Sequence, residues 1–140
     1  MSLTVRDAQI SDAPGLEVVI RQLGFEASAP EIAARMPHLL KAAFAPLVAE
    51  DNGLLGCLTW NVMDVLHRPR PVGRISMLVV AEEARGRGIG RALVEAAADR
   101  MKERGCGIIE VTSNLRLEGA HAFYEQLGFE RTSFRFGRDL

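Results

Sequence analysis

In the first third of the chain, apolar residues are spaced first as in a strand and then as in a helix. Residues 3–8 alternate as a strand, and a helix is expected over residues 11–24 because a Ser-Asp pair can cap its start. The apolar stripe of this helix consists of Leu16, Val19, Ile20 and Leu23. A second helix is predicted over residues 30–40, and Pro37 should kink or interrupt it because proline removes a backbone donor.

The rest of the chain predicts a hairpin, further strands and two more helices. Residues 45–50 and 54–63 form the hairpin around the turn Asp51-Asn52-Gly53. Residues 75–80 are nearly all apolar, which is typical of a strand in the interior of a sheet. The helical stripe that follows comprises Ile89, Leu93, Val94, Ala97 and Met101, and it is closed by Gly105. The remaining predicted elements are a buried strand at 107–112, a helix at 118–127 closed by Gly128, a short strand near Phe129 and a last strand at 133–138.

The order of these elements, without the additional short strand near Phe129, is β-α-α-β-β-β-α-β-α-β. This order predicts an α/β fold, mixed α+β in type. The strand–helix–strand unit over residues 75–112 pairs its two strands in parallel, because the helix crosses over between them. We therefore expect a mixed, mostly antiparallel sheet with helices on both faces. The 140 residues are the length of a single domain, residues 1–140.

Composition argues against several classes of function. The 17 basic and 18 acidic side chains leave a net charge of −1, which offers no surface for nucleic acid. Cys57 and Cys106 form neither a CxxC motif nor a Cys/His cluster, so we expect reduced thiols and no metal site. No run approaches the ~18 apolar residues of a membrane helix, and the first residues lack the apolar core of a signal peptide. A cytoplasmic protein without a membrane partner is therefore predicted.

The residues that carry chemistry lie in the turn after the apolar strand 75–80. This turn contains the glycines Gly86, Gly88 and Gly90 and the arginines Arg85, Arg87 and Arg91. Amides at the start of a helix have no intrahelical acceptor, and the helix dipole makes that end electropositive. A phosphate group can dock there where no β-carbon stands in the way, and arginines add charge for further phosphates. The turn therefore predicts a ligand that bears phosphate groups.

Two familiar phosphate sites do not fit this turn. A P-loop needs Gly-Lys-Ser/Thr, and the first lysine after the apolar strand is Lys102. A dinucleotide-binding fold would place its third glycine at Arg91, although Glu110 stands about where a ribose-binding acid is expected. The hairpin and the two helices before the turn also contradict that topology.

Two motifs resemble those of the GCN5-related N-acetyltransferases. Arg85-x-x-Gly88-x-Gly90 is similar to the family signature Arg/Gln-x-x-Gly-x-Gly/Ala. Residues 120–129 resemble the second family motif, with an alanine four residues before Tyr124 and Leu-Gly-Phe after it. The order of elements agrees as well, so the resemblance covers essentially the whole chain. It implies a fold in which the central parallel strand pair splays into a V.

The resemblance also implies acetyl-CoA as co-substrate and a set of site residues. The pantetheine arm would pair with the strand before the turn, the diphosphate would lie on the amides of the turn, and Asn114 would contact the arm or the helix start. The cofactor-binding residues so implied are Leu78, Val79, Val80, Arg85, Gly86, Arg87, Gly88, Ile89, Gly90, Arg91 and Asn114. Tyr124, the only tyrosine, would be the catalytic acid that protonates the departing thiolate.

The resemblance does not identify a general base. Many relatives carry a glutamate on the strand equivalent to residues 74–80, whereas this strand has no carboxylate and Ser76 could only order a water. The candidates left open are Glu26, Asp64, His67, Glu110 and His121.

The acceptor is not fixed by the sequence. Residues 24–29 and 134–138 correspond to the acceptor side in relatives, and the short chain favours a small-molecule amine over a protein. The alternatives are a protein N-acetyltransferase and a non-catalytic acyl-CoA-binding sensor. A homodimer and an acyl group other than acetyl also remain open.

Overall fold

The computed structural model describes residues 2–113 and 118–140. It divides into two compact units, one that ends at Glu110 and one that comprises Val111–Leu140. The helices and strands, in chain order, are β1 (Thr4–Asp7), α1 (Ala13–Arg21), α2 (Ala29–Lys41), β2 (Leu47–Glu50), β3 (Leu54–Met63), β4 (Val72–Val80), α3 (Ile89–Glu103), β5 (Ile108–Val111) and α4 (Glu118–Gln126). One 3-10 turn, Ile10–Asp12, precedes α1, and a second, Glu82–Ala84, lies between β4 and α3.

The strands form one sheet in the order β1-β2-β3-β4-β5. The first four strands pair in antiparallel fashion, and β5 lies parallel to β4. A hydrogen bond of 3.0 Å from Gly107 N to Pro71 O lies just before the starts of this parallel pair. The predicted mixed α+β fold with a mostly antiparallel sheet is confirmed.

Helices cover both faces of the sheet. Residues 47–49 of β2 are all 0% exposed, and both faces must be covered there because consecutive side chains point to opposite faces. Helix α3 lies on the face that carries Gly56 and Gly73, since a β-carbon on these residues would meet Leu93 and Met101 respectively. Helix α1 also contacts β3 and β4, and it covers the other face.

The apolar stripe predicted for α3 is confirmed. All five residues of the stripe are buried, and Gly105 ends the helix with a φ of +79°. In α1 the predicted positions Leu16 and Val19 are buried, whereas Ile20 and Leu23 are half-buried. Helical periodicity alone therefore located the main contact between α3 and the sheet.

Pro37 does not interrupt the second helix, so that part of the prediction is wrong. Helix α2 runs from Ala29 to Lys41 with Pro37 inside it. Pro37 is exposed, so the carbonyl of Ala33, which loses its amide partner, lies on the side of the helix where water can reach it. The helix continues because this solvation replaces the missing hydrogen bond.

Two predictions about strands near the C-terminus are also wrong. Strand β5 is not buried: Ile108 is 39% exposed and only Ile109 and Val111 are half-buried, because β5 is the edge of the described sheet. No strand forms near Phe129 or at residues 133–138, where the phenylalanines at 134 and 136 are 75% and 92% exposed. Apolar alternation is not sufficient for a strand, because a strand also needs a backbone partner with which to pair.

The end of α2 holds a strained residue. Ala43 has a φ of +63°, and Ala43 N and Phe44 N donate to Leu40 O and Leu39 O at 3.1 and 3.0 Å. These two bonds form a Schellman ending, in which glycine is the preferred residue at the left-handed position. The left-handed conformation costs an alanine about 1–2 kcal/mol.

We predict that Ala43→Gly stabilises the protein by about 0.5–1 kcal/mol, because relief of this strain exceeds the added entropy of the unfolded chain. The measurement is the midpoint of urea unfolding at constant m-value. Ala42→Gly is the matched control, since Ala42 has a φ of −75° and gains nothing from glycine. A wild-type protein as stable as Ala43→Gly would contradict the prediction.

Candidate functional site

The end of β4 directs backbone groups away from β3. Ala81 N donates to Leu55 O at 2.8 Å, so the backbone of Ala81 faces β3. Because backbone groups alternate along a strand, those of Val79 also face β3, and those of Leu78 and Val80 face away from it. Of the three β4 residues predicted to pair with a pantetheine arm, Leu78 and Val80 have the required backbone direction.

Strand β5 runs beside the first half of β4 only. The bond between Gly107 and Pro71 sets the two strands level at their starts, and both advance by about 3.3 Å per residue. The 4 residues of β5 therefore end near the level of Ile75, before Leu78 is reached.

A 3-10 turn, Glu82–Ala84, connects β4 to the glycine-rich segment. Ala81 and Ala84 are 1% and 0% exposed, so the turn is anchored in the core at both ends. Arg85 Nε donates to Val80 O at 3.3 Å. The arginine that was predicted to bind phosphate thus contacts the last residue of β4 in this structure.

The glycine-rich segment presents an open helix start. Gly86 and Gly88 have φ values of +80° and +79°, in the left-handed region that favours glycine, and a β-carbon on either would meet no atom within 4 Å. Gly88 is the N-cap of α3, and Ala92 N donates to its carbonyl at 3.1 Å. The amides of residues 89–91 precede this first helical bond, so they have no acceptor within the helix. Together with the exposed side chain of Arg91, they make an electropositive surface.

One contact to this segment could not be found from the sequence. Gln22, which caps the end of α1, accepts a hydrogen bond of 2.9 Å from Glu82 N to its Oε1 atom. At the other end of the α1–α2 connection, Ala29 N donates to Glu17 Oε1 at 2.7 Å. Between these points Phe25 is 63% exposed. The connection predicted to lie on the acceptor side is therefore fixed at both ends and apolar at its tip.

A polar patch, defined as Thr59, Asn61, Arg74 and Ser76, lies on the sheet face opposite to α3. Thr59 Oγ1 and Ser76 Oγ are 2.7 Å apart, and Asn61 is paired with Arg74 across β3 and β4. The register shifts between Thr59 and Trp60, which leaves Ser76 without an opposite residue. Sequence reasoning missed the patch, although the polar residues of β3 recur with the period of two that marks one face.

Tyr124 lies on α4 in the second unit. Its ring makes edge contacts with Phe123 and Phe129, at centroid distances of 5.2 and 5.7 Å, and Gly128 ends the turn with a φ of +89°. Burial raises the pKa of the phenol above its usual value near 10. Tyr124 therefore stays protonated through the neutral range, as a proton donor must.

The remaining predicted site residues are Asn114 and the five candidate bases. Asn114 lies outside the described residues. Among the candidate bases, His121 is half-buried on α4, and the exposed ones are Glu26, Asp64, His67 and Glu110.

Cys57 is buried, and desolvation raises its pKa to about 12, so it remains a neutral thiol. Within the described ranges, no helix combines the length and apolar character needed to cross a bilayer.

Residues 17–129 match the model of the acetyltransferase (GNAT) family. The chain is 29% identical over 94 residues to an aminoalkylphosphonate N-acetyltransferase of Salmonella typhimurium, a match that covers 67% of this chain and 61% of the relative. It is 35% identical over 100 residues to N-alpha-acetyltransferase 30 of Saccharomyces cerevisiae, which covers 71% of this chain and 56% of the relative. The chain thus spans less than two thirds of the length of these relatives.

A solved structure of an aminoglycoside N-acetyltransferase in complex with CoA superposes with a TM-score of 0.86. The superposition covers 99% of this chain and 95% of the other at 19% identity, so the likeness is one of fold.

Proposed function

Because this chain belongs to the GNAT family of acetyltransferases, we propose that it transfers the acetyl group of acetyl-CoA directly to the primary amine of a small molecule. The observation that carries the proposal is a sequence of three neighbouring features: backbone groups of Leu78 and Val80 that face away from β3, a turn anchored by Ala81 and Ala84, and the helix start after Gly88 with its free amides. A long ligand with an amide-bearing arm and a diphosphate end suits such a surface.

The described residues fit acetyl-CoA at both of these points. Backbone groups of Leu78 and Val80 that face away from β3 would pair with the amides of the pantetheine arm, in the manner of an added strand. The diphosphate would accept hydrogen bonds from the amides of residues 89–91, with Arg91 beside them. The co-substrate supplies an activated acetyl thioester.

The proposed reaction is a single transfer with general-acid help. The neutral amine nitrogen attacks the thioester carbonyl carbon, the N–C bond forms, the C–S bond breaks, and the amine gives up one proton while the sulfur gains one. We assign protonation of the sulfur to Tyr124, whose raised pKa keeps its proton available. Backbone amides at the end of β4 would stabilise the oxyanion. The raised pKa of Cys57 argues against an acyl-cysteine intermediate.

A protein amino terminus is the second candidate acceptor. It is favoured by the match to N-alpha-acetyltransferase 30, whereas a small amine is favoured by the match to an aminoalkylphosphonate N-acetyltransferase. We retain the small amine because the connection between α1 and α2, over residues 22–28, is short and held at both ends.

The test of this function is release of free CoA thiol from acetyl-CoA with a panel of small primary amines and N-terminal peptides. We expect thiol release with at least one small amine and none without an acceptor. Release with peptides alone would favour the second candidate. Tight acetyl-CoA binding without release for any acceptor would instead indicate a non-catalytic acyl-CoA-binding module.

The pH dependence of kcat/KM shows whether a side chain of the protein acts as the general base. No carboxylate lies on β4, and the hydroxyl groups of Thr59 and Ser76 can hold a water but cannot act as a base near neutral pH. An alkylamine with a pKa of about 10.4 is neutral in only about one molecule in ~2,500 at pH 7.

We therefore predict that kcat/KM rises about tenfold from pH 7 to pH 8 and keeps rising toward the pKa of the amine. The measurement is a pH profile with one high-pKa amine that is turned over. A plateau near pH 7 that disappears when one of the candidate bases is replaced would contradict this prediction and identify the base.

A further inference from the structure

The polar patch interrupts an otherwise apolar face of the sheet. On this face Cys57 and Val79 are 1% and 2% exposed and lie next to the patch in β3 and β4. Directly beyond them, the residues of the patch are half-buried or exposed. Polar side chains that interrupt an apolar sheet face and remain partly exposed have their hydrogen-bonding groups available to a ligand.

Arg74 is the charged member of this patch. It is half-buried, and it forms no ion pair with any carboxylate in residues 2–113 and 118–140. Its cross-strand neighbour Asn61 is neutral, and Asp64, which follows the end of β3, lies three residues further, at about 10 Å. Glu110 on the adjacent strand β5 is nearer in register and forms no ion pair with Arg74. A half-buried guanidinium that has no carboxylate partner among the described residues favours carboxylate, phosphonate or phosphate oxygens of a ligand.

The patch lies within reach of the proposed reaction centre. Ser76 precedes Leu78 by two residues along β4, or about 7 Å, and Arg74 precedes it by four, or about 13 Å. Because an arginine side chain is long and can lean along the strand, a small acceptor with its amine and anionic group a few carbons apart can span the rest of this distance.

We infer that the acceptor is a small primary amine that also carries an anionic group, and that Arg74 binds this group while Thr59 and Ser76 contact the amine end. This inference rests on the proposed function, since it identifies the substrate class of the same site. The charge of Arg74 should also affect amines that carry no anionic group. Arg74 repels a plain ammonium compound, whereas an anionic group on the acceptor cancels that repulsion.

The test compares four amines that differ mainly in their terminal group: 2-aminoethylphosphonate, β-alanine, 3-aminopropan-1-ol and propylamine. Each kcat/KM is divided by the fraction of that amine whose amino group is unprotonated, so that differences in amine pKa do not affect the comparison. For the wild-type protein we expect at least one of the two anionic amines to exceed both uncharged ones by about tenfold or more. Because ionic attraction is screened, this advantage should shrink when the salt concentration is raised.

Arg74→Met keeps most of the side-chain length and removes the charge. We expect it to lower kcat/KM for the anionic amine to the level of the uncharged ones, to raise kcat/KM for propylamine because the repulsion is removed, and to leave acetyl-CoA affinity unchanged. Arg74→Lys retains the charge and should keep part of the advantage. Arg68→Met is the matched control, because it removes one positive charge from the exposed loop before β4.

The outcomes separate the two proposals. Equal turnover of anionic and uncharged amines, or an anionic advantage that survives in Arg74→Met, would overturn the inference about Arg74 and leave the acetyltransferase function standing. Absence of thiol release with every amine would overturn the proposed function and this inference with it.

Discussion

Replacing Tyr124 with phenylalanine is expected to lower kcat by about 10²–10⁴-fold, the usual contribution of a general acid. The substitution removes one hydroxyl group and keeps the ring, so the edge contacts with Phe123 and Phe129 persist. Acetyl-CoA affinity should change little, because the proton is needed only as the C–S bond breaks. The measurement is steady-state kinetics with the amine that gives the highest turnover, combined with calorimetry for acetyl-CoA.

The pH profile gives a second readout of the same role. Burial holds the pKa of Tyr124 above 10, so kcat of the wild-type protein should fall only as the pH rises through that value. Tyr124→Phe should lack this fall. Phe123→Leu is the control for packing, since it disturbs the ring cluster and keeps the phenol. A loss of less than about threefold in Tyr124→Phe, with chemistry rate-limiting, would show that Tyr124 only fills space.

Local periodicity was sufficient to predict most of the first unit. The stripe of α3, the hairpin β2–β3 and the glycine-rich turn each depend on residues close together in sequence, where side-chain spacing determines which face is buried. The glycines Gly86 and Gly88 were located for the same reason, because the turn from strand to helix that contains them is visible in the local sequence.

The features that the sequence did not predict depend on distant partners. The bond from Glu82 N to Gln22 joins residues 60 positions apart, and no local pattern marks that glutamine. Burial of β5 was overestimated because an apolar run does not show whether a neighbour will cover it. The alternation at residues 133–138 predicted a strand for the same reason, since alternation describes the segment and says nothing of its partner.

The polar patch shows a different limit. Thr59 and Asn61 alternate with buried residues and could have been recognised as one face of β3. Their juxtaposition with Ser76 and Arg74 depends on the register of β3 with β4 and on its shift beside Trp60. Register follows from turn geometry and from packing on both faces, which cannot be read from either strand alone.

Gly88→Glu is expected to weaken acetyl-CoA binding by at least about 100-fold, which corresponds to about 2.7 kcal/mol. Gly88 lies at the N-cap of α3 with open space before it, so a side chain there would occupy the position proposed for the diphosphate and place a carboxylate against it. The measurement is calorimetric titration with acetyl-CoA. The backbone cost must be separated from the binding effect, because any residue other than glycine is strained at a φ of +79°.

Gly105→Glu supplies that separation. Gly105 has the same φ of +79° and equally open surroundings, but it lies at the opposite end of α3. Both variants should lose a similar free energy of unfolding, about 1–2 kcal/mol, while only Gly88→Glu loses affinity for acetyl-CoA. Gly88→Ala should fall between them in affinity, since its methyl group adds bulk without charge. If Gly88→Glu folds and binds acetyl-CoA as tightly as Gly105→Glu does, the helix start is not the diphosphate site, and the assignment of acetyl-CoA to this surface is wrong.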